Sequence, residues 1–314
     1  MRHRAIPFAS LAAMMALSLS GSGVSLERVY ADDTGDTAYD VAVGGGHAYV
    51  ACNGGVTIYD VSDPEAPQLL TEPGWMPGAA FGLSLVDSTL FVAAPENGLI
   101  IADVSDPANP EILAQHGSHA GSVVVHRDVA YVSGYSKLLE LVDVSDLFHP
   151  VTLAELGWTY ANGVGGKDDN VYVTDPSRGA LVFDVSNPAS PRQVRVLPGT
   201  DSAYRIEVRG DWMYVAQYAF GVRVFDISSP QYPLSSFYFP HSGEAWDASG
   251  EYPIVCVADL QEGLEILDAT APYAARMIAS DDSVAPHALA YADGYVHLAD
   301  QDEGYVVFRL TLDP

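Results

Sequence analysis

Leu99-Ile100-Ile101-Ala102-Asp103-Val104-Ser105-Asp106-Pro107 is an apolar run closed by an aspartate and then broken by a proline. The chain repeats it. Leu139-Glu140-Leu141-Val142-Asp143-Val144-Ser145-Asp146 has the same form. Aligned on the closing aspartate, the copies fall at Asp60, Asp103, Asp143, Asp184, Asp226 and Asp268, with Arg309 in the same place in a seventh, a period of about 42 residues. Five residues before the anchor stand Gly55, Gly98, Gly179, Gly221, Gly263 and Gly304, with Leu138 the exception. Two after it stand Ser62, Ser105, Ser145, Ser186, Ser228 and Thr270, and four after it Pro64, Pro107, Pro188, Pro230 and Pro272.

Each copy reads as four short strands, because β-branched and aromatic runs alternate with Gly, Pro, Asp and Ser. In the third copy these are Ser122 to Val125, Val129 to Ser133, Leu138 to Val142 and Val151 to Glu155. The Asp-Val-Ser-Asp-Pro segment is turn chemistry: Asp and Ser side chains bond nearby backbone groups, and Pro cannot donate to a ladder. Repeats of this length with four strands each make propeller blades. The expected fold is therefore all-β, a seven-bladed β-propeller with four antiparallel strands per blade. The last copy lacks a fourth strand, and Leu26-Glu27-Arg28-Val29-Tyr30-Ala31 resembles the other fourth strands. The N-terminal strand is thus expected to join the last blade and close the ring, which removes open sheet edges.

The Leu99–Ser105 and Leu139–Ser145 segments resemble the LVIVD repeat family, and the resemblance covers essentially all of residues 26–310. It implies a propeller in an exported or surface protein of bacteria or archaea. It implies no activity, since the signature residues of that family are structural.

Arg2 and Arg4, the apolar run Ile6 to Leu19 and the small residues Ser20 to Ser25 have the layout of a secretory signal peptide. Residues 1–23 are expected to be that signal and residues 24–314 the propeller, so that the mature chain keeps its closing strand and has no membrane span. The expected location is secreted, periplasmic or cell surface. The net charge of −27 repels phosphate backbones and excludes nucleic acid as a natural partner. Cys52 and Cys256 fall two blades apart and are expected as half-buried thiols without a bridge.

The repeat phase also sorts candidate site residues. Where the first strand of each blade begins stand Tyr39-Asp40, Phe81-Gly82, Gly121-Ser122, Asn162-Gly163, Tyr204-Arg205, Trp246-Asp247 and His287-Ala288. These positions vary between copies while the turn positions do not. Tyr39, Asp40, Phe81, Tyr204, Arg205, Trp246, Asp247 and His287 therefore form a candidate ligand site at the mouth of the central channel. Aromatic rings with a few convergent charges suit a small-molecule or sugar pocket, and the same rings would also suit a plug of the channel.

His119, His241 and His287, in loops expected on the same face, together with Asp300 and Asp302 of the last acidic loop, are candidate ligands for a divalent cation, calcium or a transition metal. Arg209-Gly210-Asp211 reads as a hairpin turn. No Gly-x-Ser-x-Gly turn, phosphate loop, dinucleotide fingerprint or His-Glu-x-x-His occurs, and no catalytic residue can be named. Two functions remain open. One is a monomeric extracytoplasmic interaction module that binds a protein, small molecule or glycan on its loop face. The other is a hydrolase or lyase, with or without a metal, at the channel mouth, drawing on His119, His241, His287 and Arg205.

Overall fold

The structure is a computed structural model that describes residues 23–32, 36–134, 137–157, 160–240, 243–270 and 276–312. The signal segment, apart from Gly23, lies outside the described residues, as does His241.

Seven four-stranded antiparallel sheets follow one another along the chain. The third copy is Ser122–His126, Val129–Gly134, Lys137–Asp143 and Val151–Leu156, each within two residues of its expected ends. The first strand of each blade packs on the first strand of the next all the way round, from Ala38–Gly44 in blade one to Pro286–Ala292 in blade seven and back. Among the described residues there is no helix, and so none long and apolar enough to cross a membrane.

The apolar runs explain this packing. Ile100 and Ile101, adjacent in one strand, point to opposite faces. Ile100 enters the cluster with Tyr49, Ile58 and Leu90, while Ile101 enters the cluster with Val123, Val132 and Val142. Both faces of the blades are covered, so the third strands are mostly apolar. The core is accordingly seven clusters, one between each pair of neighbouring blades. Burying one such side chain contributes about 1.5–3 kcal/mol.

The repeated aspartates act as the sequence implies. The amides of Ser62, Ser105, Ser145, Ser186, Ser228 and Thr270 donate to the carboxylates two residues earlier, at 2.8–3.0 Å. The Ser and Thr hydroxyls together with these amides hold the aspartates below the usual carboxylate range, Asp184 at about 2 with Arg192 assisting. The repeated glycines have a steric reason too. Gly98 has φ of 74°, and a Cβ there would lie 2.3 Å from the His116 carbonyl oxygen.

Val24–Asp32 pairs antiparallel with Gly304–Leu312, from Val24↔Leu312 to Asp32↔Tyr305, as the outer strand of blade seven. Ion pairs Arg28–Glu303 and Glu27–Arg309 rivet the two strands, and Arg309 also reaches Glu65 of blade one. Two expectations need correction. Cys52 and Cys256 are fully buried rather than half-buried, because their strands are covered on both faces. His287 lies in a strand, within Pro286–Ala292, not in a loop.

The closing strand generates a prediction. A chain beginning after Asp32 exposes the edge of Gly304–Leu312 and loses its cover for the last core cluster. It should melt well below the chain beginning at Val24 and aggregate on heating. Equal melting temperatures in a thermal scan would show that closure contributes nothing.

Candidate functional site

The channel is lined in layers, one residue from each blade per layer. The uppermost holds Tyr39, Phe81, Gly121, Asn162, Tyr204, Trp246 and His287, the next Asp40, Gly82, Ser122, Gly163, Arg205, Asp247 and Ala288. Arg205 reaches from blade five to carboxylates on blades one and six. Its Nη1 donates to Asp40 Oδ1 of blade one (3.1 Å) and Asp247 Oδ2 of blade six (3.4 Å), and its Nη2 to the Tyr39 carbonyl (3.4 Å). Each aspartate is itself anchored. Asp40 accepts the amides of Val41 and of Leu83 in blade two; Asp247 accepts those of Ala248 and of Leu289 in blade seven.

Burial raises both aspartates above their usual range, against the pull of Arg205, while the two carboxylates raise Arg205 and hold it charged. Two residues further down, Glu207 accepts the Ser249 hydroxyl at 2.8 Å, and burial together with Asp247 lifts its carboxyl to about 8.

Arg205 lines two cavities. Above it is the channel mouth, about 180 Å³, with Tyr39, Phe81, Gly121, Gly134, Tyr160, Ala161, Asn162, Tyr204, Trp246 and His287. Below it is the lower channel, about 370 Å³, which includes Asp40, Glu207, Arg209 and Asp247. The Arg205 guanidinium and its two carboxylates therefore divide the channel.

The mouth is asymmetric. The rings form an arc through five blades: Phe81 to Tyr39 (4.3 Å between centroids), Tyr39 to His287 (5.5 Å), His287 to Trp246 (4.8 Å) and Trp246 to Tyr204 (4.8 Å). Blades three and four contribute Gly121 and Asn162 at the same positions, and the cavity adjoins them. Seven rings would plug the channel; five rings leave a space. His287 Nδ1 lies 2.8 Å from the Ala38 carbonyl oxygen, so this nitrogen carries the proton. Burial lowers its pKa, leaving Nε2 as an acceptor. The Trp246 indole N–H is buried without an acceptor among the described residues.

Of the eight residues expected at the mouth, Tyr39, Phe81, Tyr204, Arg205, Trp246 and His287 line the cavity, and Asp40 and Asp247 hold Arg205 from below. Of the side chains named for a divalent cation, His241 lies outside the described residues and the others form no ligand group. His119 bonds the Ser118 hydroxyl and does not line the cavity. Asp300 is fully buried and accepts the amides of Ala285, Asp302 and Glu303. Among the described residues no group of three or more His, Cys, Asp or Glu could hold a metal ion.

Two residues escaped the sequence reading. Glu207 is the one charged residue in its layer, and the repeat phase could have exposed it. Tyr218 sits in a left-handed backbone conformation (φ 55°), unusual for a bulky side chain. Mutual amide–carbonyl bonds with Ala245 of blade six pin it there, with its ring against Tyr204 and Trp246. Such strain costs about 1–3 kcal/mol and clusters at functional sites.

The pattern described as LVIVD repeat matches residues 35–72, 77–115, 117–155, 160–195 and 201–239. The chain belongs to the LVIVD repeat family. The matches cover the first five blades of this LVIVD protein; Trp246, Asp247 and His287 come from blades six and seven, beyond them. Among solved structures, a computationally designed protein, Ika8, is similar at 10% identity with a TM-score of 0.66, covering 92% of this chain and 100% of its own. That likeness is one of fold. No curated protein matches the chain.

Glu207 sets a pH dependence. Its folded pKa of about 8 lies above its ordinary 4.5, so its contribution to stability is fully present below 4.5 and is lost as pH rises through 8. Glu207→Gln keeps the neutral form. Between about pH 5 and pH 9 its stability relative to the parent should rise, by on the order of 2 kcal/mol after allowance for water in the channel. Parallel denaturation midpoints across that range would contradict the assignment.

Proposed function

We propose that the protein is an extracytoplasmic binding module whose ligand enters the mouth of the propeller channel from the loop face. One observation carries this reading: at seven equivalent positions five rings and two small residues leave a cavity of about 180 Å³ above a charged floor. A concave, mostly apolar site with a few convergent polar groups is the usual form of a small-ligand pocket. The strained backbone of Tyr218, whose ring backs this wall, supports the same place. The occupant is a small molecule, a glycan, or a side chain of a partner protein. The basic and apolar amino terminus supports export to the periplasm, cell surface or medium, and the module is proposed to act as a monomer. The hydrolase or lyase reading has less to draw on, because Arg205 is held by two carboxylates and His287 is tied to a backbone carbonyl.

The cavity can be filled by design. Asn162→Trp places a ring where five other blades already carry one, so the fold should tolerate it with a melting temperature within about 3 °C of the parent. In a saturation-transfer NMR screen of sugar and aromatic fragments, those that bind the parent at the mouth should lose their signal in this variant. An unchanged set of binders would place binding elsewhere.

A further inference from the structure

Resting on that binding reading, we infer that the mouth cavity takes one neutral sugar ring, the terminal residue of a glycan. Charge narrows the choice first. The Arg205 guanidinium already faces Asp40 and Asp247 at 3.1 and 3.4 Å. A ligand carboxylate or phosphate would be a third negative group on one buried cation, with its desolvation uncompensated. A ligand cation would meet the Arg205 guanidinium, which lines the mouth, while Asp40 and Asp247 line the lower channel beyond it. A neutral ligand avoids both costs.

Hydrogen-bonding capacity narrows it further. Arg205 has five N–H donors, of which three bonds to the protein are made. His287 Nε2 is an acceptor, and the Asn162 carboxamide is both donor and acceptor. The lining thus offers both donors and acceptors, and a hydroxyl, which does both, is the group that answers them. The aromatic arc supplies apolar surface for the C–H faces of a ring. The volume of about 180 Å³ holds one six-membered ring with its substituents, and the opening towards the loops leaves the rest of a chain outside.

The experiment uses the mature protein and three kinds of probe in saturation-transfer NMR titrations. These are the methyl glycosides of glucose, galactose and mannose; the uronates of the same rings; and tetramethylammonium chloride. At least one neutral glycoside should bind. Its signal should vanish in Asn162→Trp and weaken several-fold in Asn162→Ala, which keeps the test intact should the larger ring disturb the blade. The corresponding uronate should bind about tenfold more weakly, the equivalent of about 1.4 kcal/mol. If a uronate or tetramethylammonium binds more tightly than every neutral ring, and Asn162→Trp abolishes that binding, the sugar is wrong and the mouth site stands. If no probe of any class responds to Asn162→Trp, both the sugar and the binding reading are overturned.

Discussion

A ring of seven sheets must close on itself, and everything else in this molecule follows from that constraint. Each blade is buried on both faces by its neighbours, so none has a core of its own. Ile100 and Ile101, side by side in one strand, serve two different cores. Closure also explains why the first described strand lies beside the last: without Val24–Asp32, the strand Gly304–Leu312 would end the ring on an open edge.

Closure makes the channel a stack of seven-membered layers, and a layer can be varied without disturbing the cores. In the second layer one arginine reaches aspartates on blades one and six, and those aspartates also accept amides from the adjoining blades. The same few side chains therefore divide the channel and staple blades one to two and six to seven. In the first layer, the loss of two rings out of seven turns a plug into a cavity. The distinction between plug and pocket rests on Gly121 and Asn162, not on the aromatic residues that first draw the eye.

Most of the architecture was legible in the sequence because the repeat states it seven times. The turn aspartates, the positive-φ glycines and the borrowed outer strand all follow from local chemistry at fixed offsets. The mouth residues were legible as a set for the same reason, since phase gives position. Their partnerships were not. That Arg205 bonds Asp40 and Asp247 depends on where blades one and six bring those carboxylates, which no single repeat states. Around Asp300 the sequence shows the carboxylate and hides the three backbone amides that donate to it. Tyr218 was hidden because its backbone conformation is imposed by Ala245 of the next blade.

The central claim is that a ligand-sized space lies beside Gly121 and Asn162, above a channel sealed by Arg205. A high-resolution crystal structure of the mature protein tests it most directly. The account predicts the Arg205 guanidinium between Asp40 and Asp247, and room beside Asn162 for a ring against Trp246 and His287. Density for a loop side chain filling that room, or Arg205 turned away from both carboxylates, would contradict it.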